Sequence, residues 1–207
     1  MEPSDAELLR AWWDGDRASG EALIRRHYRT VLRFFELNAG WAADDLVQRT
    51  FMACVENPRQ VRDADAFRAF LLGVARRQLA MYLREVARDR TLASFDPPEP
   101  RGRPTRLSTL VARGREQLLA LRALASLPRG PQTLLVLYYW DGVRTPELST
   151  SYQVPQSTIR TRLGRARDLL RDKMARLSHP LPLAQPDAEQ LHRLIASLVA
   201  PEEEAAG

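Results

Sequence analysis

The sequence predicts an all-α protein: two small helical domains joined by a proline-rich linker, with a short helical tail. Three observations predict this. Apolar residues recur three, four or seven apart along nearly the whole chain, the spacing of one face of a helix. No stretch carries the two-residue alternation of a half-buried strand. The helical pattern is also interrupted at 91–106, TLASFDPPEPRGRPTR, whose four prolines disfavour both helix and a folded core. The 207 residues suffice for two small domains, and 44% of them are hydrophobic, enough to build cores.

The elements follow in order. Ser4 and Glu7 have the spacing of a capping box, so a first helix starts there. From Glu21 to Leu37 a second helix carries Leu23, Ile24, His27, Tyr28, Val31, Leu32 and Phe35. A third, about Ala42 to Glu56, places Leu46, Val47, Thr50, Phe51, Cys54 and Val55 on one face. NPRQVRD (57–63) breaks the pattern, and a long helix follows from about Asp65 to Arg88 with Phe67, Phe70, Leu71, Val74, Leu79, Leu83 and Val86. The expected division is therefore a first domain over 1–90, a linker over 91–109, a second domain over 110–177 and an extension over 178–207.

The second block is punctuated more sharply. PQTLLVLYYW (131–140) is an apolar helix that stops at the turn pair Asp141-Gly142. Thr145-Pro146-Glu147 then supplies an N-cap, a first-turn proline and a first-turn acid for a short helix over about 146–152. Val154-Pro155 opens the next helix, whose buried stripe is Ile159, Leu163, Ala166, Leu170 and Leu177. A short helix closely followed by a longer basic one is the helix-turn-helix pattern, in which the second helix presents its N-terminal residues to the major groove. Gln156, Ser157, Thr158, Arg160, Thr161 and Arg162 crowd that end, off the stripe. Arg160 and Arg162 have the fork that matches guanine, and Arg165, Arg167 and Arg171 continue toward phosphates. The competing reading is a solvated amphipathic helix, which the preceding turn and short helix argue against.

Charge and special residues narrow the function classes. The net charge is +5, which favours a polyanionic partner, and Lys173 is the only lysine among the basic residues. Cys54 is the only cysteine and the three histidines are far apart, so neither an internal disulfide nor a metal centre is expected, and no cofactor. No nucleophile–base pairing or glycine-rich phosphate loop suggests an enzyme. The start, MEPSDAELLR, is too acidic and polar for a signal peptide, and the longest apolar run, LLVLYYW, is too short to span a bilayer. The expectation is a soluble cytoplasmic protein without membrane insertion.

Two blocks of sequence carry a family resemblance. The run LLALRALASLPRGPQTLLVLYYWDGVRTPELSTSYQVPQSTIRTRLGRARDLLRDKM resembles region 4 of the extracytoplasmic-function (ECF) bacterial sigma factors, with Thr158 to Arg167 in the place of their recognition-helix string. DDLVQRTF (44–51) and FRAFLLGVARRQLAMYLRE (67–85) are similar to the polymerase-docking and promoter-melting helices of region 2. The likeness covers about residues 6–177, in the family's order and with a linker between. It implies a first domain folded as the region 2 helical bundle and a second as the region 4 helix-turn-helix.

The resemblance also implies roles. Asp44, Asp45, Leu46, Gln48 and Phe51 would bind the clamp helices of the largest subunit of RNA polymerase core. Asn57, Arg59, Gln60 and Arg62 in the loop, with Arg76, Arg77 and Arg84 on the following helix, would hold the opened −10 strand of promoter DNA; bases need stacking surfaces and the strand needs cations. Phe67 and Phe70 fit core packing better than base stacking, because they lie on the apolar stripe. The −35 duplex would fall to the second domain, and an anti-sigma factor is a candidate partner. The chain departs from the family pattern at Arg49 (usually glutamate), Phe70, Arg77, Tyr82, Ser149 (usually alanine) and Gln153 (usually glycine). The runner-up is a helix-turn-helix regulator that works without core polymerase. The tail DAEQLHRLIASLVAPEEE keeps Leu191, Leu194, Ile195, Leu198 and Val199 on one stripe. Either it packs on one of the domains and restrains binding, or it is a solvated appendage.

Overall fold

A computed structural model describes residues 2–56, 61, 66–92, 115–178 and 190, with the side chains of 89–92 and 115–116 left aside. The expected linker starts two residues too early, since 91–92 continue α4; the rest of it, the loop residues Asn57, Arg59, Gln60 and Arg62, and the tail stripe lie outside the described residues. Every regular element among the described residues is helical: α1 (Asp5–Trp13), α2 (Arg17–Ala39), α3 (Ala43–Glu56), α4 (Phe67–Leu92), α5 (Arg115–Ala125), α6 (Arg129–Leu135), α7 (Thr145–Tyr152) and α8 (Gln156–Leu177). A 3₁₀ turn, Gly40–Ala42, leads into α3, and a wide π turn, Val136–Trp140, continues α6. The chain divides into two units, Met1–Thr105 with Pro146–Pro155, and Arg106–Thr145 with Gln156–Gly207.

In the first unit α2 is the central helix, packed by α1, α3 and α4. The capping box is formed: Ser4 Oγ accepts from the Glu7 amide at 3.2 Å, and the Ser4 amide donates to Glu7 Oε2 at 2.7 Å. Asp16 caps α2 through the Ala18 amide at 3.0 Å, so the helix starts four residues before the apolar stripe announces it. Helices α1 and α2 meet closely at Gly20, where a Cβ would stand 2.8 Å from the Trp12 ring. The fully buried layer comprises Leu9, Leu23, Phe35, Leu46, Phe67, Leu71 and Leu72. His27, also buried, meets Asp5 Oδ2 at 2.6 Å and the Phe67 ring at 5.6 Å, while Arg26 donates to Asp5 Oδ1 at 2.7 Å. This double partnership ties the start of α1 to the middle of α2. It holds the Asp5 carboxyl down to about 2, the His27 hydrogen bond contributing most.

Segment 146–155 belongs to the same unit. Arg68 on α4 grips Glu147 with both ends of its fork, at 2.8 and 2.7 Å, and both side chains are largely buried. Arg76 donates to the Ser151 carbonyl and lies 4.1 Å over the Tyr152 ring.

In the second unit α8 packs on α5 and α6; its Ile159, Leu163, Ala166, Leu170 and Met174 are buried, as are Ala120, Ala123 and Leu124 of α5 and Leu134 and Leu135 of α6. The stripe of α8 closes on Met174; Leu177, expected there, is exposed although it keeps the helical spacing, because it is the last residue of the helix. Val55 and Leu83, expected on inward faces, are also exposed, since neighbouring residues on their helices already fill the core layer.

Candidate functional site

Two surfaces of the fold carry the residues that the sequence singles out. The first is the outer face of α3. Asp44, Asp45 and Gln48 are exposed on it. Leu46 is 0% and Phe51 7% exposed: these two point inward, Phe51 stacking on Tyr28 at 6.1 Å. They set the attitude of the helix and leave the surface to others. Reading the motif as a string hid that division, and it also passed over Met52, 52% exposed and four residues beyond Gln48. The available signal was an apolar residue out of register with the 47/50/51/54 stripe. Asp45 pairs with Arg49 at 2.8 Å across one helical turn, with both side chains more than half exposed. Such a pair is worth about 0.3–0.5 kcal/mol and is readily given up to a partner. Cys54, on the inner side, is pushed up to about 12 by burial, so it stays a neutral thiol at physiological pH.

The expected strand-holding residues of α4 divide in the same way. Arg77 and Arg84 are exposed, whereas Arg76 is engaged by Ser151 and Tyr152. Phe67 is a core residue at 1% exposure, and Phe70 is half-buried.

The second surface is the N-terminal half of α8. Three residues, Gln153 to Pro155, connect α7 to it. Gln153 takes φ 54, the left-handed backbone that glycine adopts freely. The turn is braced by hydrogen bonds from the Gln153 amide to Thr150 O at 3.3 Å and from the Val154 amide to Ser149 O at 3.2 Å. The Ser149 hydroxyl adds a bond to Val154 O at 2.7 Å, a physical reason for serine where the family pattern has alanine. Past the turn, Gln156, Ser157, Arg160, Thr161, Arg162 and Arg165 are exposed, and Thr158 is half-buried. Arg160, Arg162 and Arg165 make no ion pair among the described residues, so their forks remain available. Thr161 Oγ1 is turned back to Ser157 O at 3.0 Å. Arg167 is half-buried and reaches the Tyr139 hydroxyl at 3.5 Å, and Arg171 pairs with Asp168 at 3.0 Å. The cationic surface therefore concentrates in the first three turns of α8.

With this geometry in place, comparison with known proteins is decisive. Sigma-70 region 2 matches residues 21–89, and Sigma-70 region 4 matches residues 109–170. The ECF RNA polymerase sigma factor SigC of Mycobacterium tuberculosis is 32% identical over 161 residues, covering 75% of this chain and 83% of SigC. The chain belongs to the ECF RNA polymerase sigma factors. As a sigma factor it binds RNA polymerase core and directs promoter recognition; it is a non-catalytic transcription factor. The probable RNA polymerase sigma factor RfaY of Xanthomonas campestris pv. campestris is 24% identical over 141 residues, and the match spans 34% of that longer protein. The fold is shared with CnrH, solved in complex with the cytosolic domain of CnrY, at a TM-score of 0.55 and 23% identity over 80% of this chain and 94% of that one. Among the described residues of the sigma factor, no helix is long and apolar enough to cross a membrane, and no cluster of side chains has the make-up of a metal site.

Proposed function

We propose how this sigma factor divides its work among its surfaces. The outer face of α3, through Asp44, Asp45 and Gln48, docks on the clamp helices of the polymerase largest subunit, with Leu46 and Phe51 holding that face in place from inside. Arg77 and Arg84, with the loop residues Asn57, Arg59, Gln60 and Arg62, hold the displaced −10 strand. Residues 1–90 form the docking and melting domain, and 110–177 the domain that reads the −35 duplex. There Gln156, Ser157, Arg160 and Arg162 face base edges, and Arg165 faces phosphate. The observation that carries the reading is the first three turns of α8: unpaired forks and small polar side chains outward, Ile159 and Leu163 in the core. Polymerase and chromosome place this work in the cytoplasm. CnrH, of like fold, is held by a cytosolic polypeptide, which supports an anti-sigma partner for this chain.

Holoenzyme assembly tests the division. Asp45→Arg is expected to weaken binding to core polymerase while leaving binding to a −35 duplex intact. Arg162→Ala is expected to do the reverse. Loss of both activities in both variants, or of neither, contradicts the division.

A further inference from the structure

A line of exposed side chains runs along one face of α3: Asp45, Gln48, Met52 and Val55 are separated by three, four and three residues, and Trp41, on the 3₁₀ turn that leads into the helix, is exposed with them. That alternation is the a/d spacing of a heptad, the seam along which a second helix packs knobs into holes. Three of the five are large apolar groups: Trp41 is 71% exposed, Met52 52% and Val55 50%. Large apolar groups aligned on one exposed face mark a surface that a partner covers.

Trp41 is the least buried of them and sits at the seam's N-terminal end, beyond the DDLVQRTF motif. Its ring nevertheless has a fixed neighbour, since Tyr82 of α4 meets it edge to face with centroids 6.0 Å apart and planes at 76°. The indole is thus held upright before any partner arrives, which lowers the entropy cost of binding.

We propose that Trp41 is an anchor of the polymerase-docking face, receiving a basic helix of polymerase core laid along the Trp41–Val55 seam, with Tyr82 as the buttress that orients it. The proposal rests on α3 being the docking element and extends that element by one turn. Charge selects the occupant. Asp44 and Asp45 follow Trp41 directly, and Glu85 is exposed three residues beyond Tyr82. Asp44 has no ion pair among the described residues, and Asp45 shares only the exposed Arg49. A helix bearing lysine or arginine complements these carboxylates. A nucleic-acid strand, whose bases also stack on tryptophan, would bring phosphates onto them. The seam is about 20 Å long at 1.5 Å per residue, room for some four turns of partner helix. Tryptophan is among the side chains that dominate such interfaces when truncated.

The test uses the full chain and purified core polymerase. Trp41→Ala is expected to weaken core binding by about tenfold or more. Trp41→Phe, which keeps a ring, should lose less. Tyr82→Ala should weaken binding modestly, and much less so once Trp41 is already alanine, because the buttress acts through the indole. Thermal unfolding and −35 duplex binding, read on the same samples, should be unchanged for Trp41→Phe. If Asp45→Arg weakens assembly but Trp41→Ala does not, the anchor is refuted and the docking face survives. If neither substitution weakens assembly, the docking face falls and the anchor with it. If Trp41→Ala assembles normally yet fails to open promoter DNA, the ring stacks on a base, and the proposal is overturned.

Discussion

Gln153 carries a measurable conformational cost. An L-residue at φ 54 is disfavoured by about 1–2 kcal/mol, and glycine at the same place removes that cost. Glycine also loosens the unfolded chain, which returns about 0.5–1 kcal/mol in the opposite direction. Gln153→Gly is therefore expected to stabilise the protein by up to about 1 kcal/mol in a denaturant titration; a destabilised variant would show that the glutamine side chain has a role beyond the turn. Asp5 makes a second residue-scale prediction. Its carboxyl, held at about 2 by His27, Arg26 and their charges, titrates below the ordinary 3.8. Its stabilising contribution is present above pH 4 and is lost as the pH falls toward 2. The gap in thermal midpoint between wild type and Asp5→Asn should narrow over that window; a gap that does not change with pH would mean that charge has no part in it. Glu7 is also lowered, by its bonds to Ser4, but belongs to the exposed capping box and is common to both proteins. These residue-scale facts were only half legible in the sequence. The capping box follows from spacing alone. The Asp5–His27 contact joins residues 22 apart and depends on how α1 lies on α2, which no local pattern records. Whether Leu46 or Met52 reaches the surface depends on the partner helices that fill one side of α3.

At the scale of the element, α8 is the most informative helix. Its apolar and cationic residues separate by face, so its stripe as far as Leu170 and its exposed N-terminal end were readable from periodicity, and its start from Val154-Pro155; the close on Met174 instead of Leu177 was not. What periodicity missed was the fate of individual arginines: Arg167 turns to Tyr139 and Arg171 to Asp168, because long side chains take whatever partner the packing brings near. That difference sharpens a prediction. Arg160→Ala or Arg162→Ala should weaken binding to a −35 duplex by about 1–3 kcal/mol and relax preference at one base pair, as expected for a bidentate base contact. Arg165→Ala should weaken all sequences alike and lower the slope of log K against log salt by about 1. Arg171→Ala, whose charge is already shared with Asp168, should change that slope less than Arg165→Ala. Equal binding by all four variants would remove α8 as the recognition helix. The end of α6 shows the opposite limit of legibility. Asp141-Gly142 reads as a stop, and Gly142 does take φ 62. The π turn before it, closed by the Asp141 amide on Val136 O at 3.0 Å, has no sequence signature of its own.

For the whole molecule, the all-α fold was legible because each helix carries an apolar stripe and the two helical blocks stand on either side of a proline-rich stretch. The membership of segment 146–155 in the first unit was not, because it depends on Arg68 finding Glu147 and Arg76 finding Tyr152, contacts between residues 79 and 76 apart in sequence. Both blocks belong to the sigma-factor family, and the proposed function uses a surface of each: α3 as the docking face and α8 as the helix that reads the duplex. The central claim is that one chain joins the two, and promoter-directed run-off transcription tests it most directly. Core polymerase is incubated with a library of genomic fragments, with and without the protein, and with an Asp45→Arg, Arg162→Ala double variant. Discrete transcripts starting downstream of a shared upstream element, present only with the wild-type chain and lost with the double variant, are the predicted result. Transcript patterns identical with and without the wild-type protein, under conditions where it binds duplex DNA, would contradict the account and leave a DNA-binding protein that does not work through polymerase.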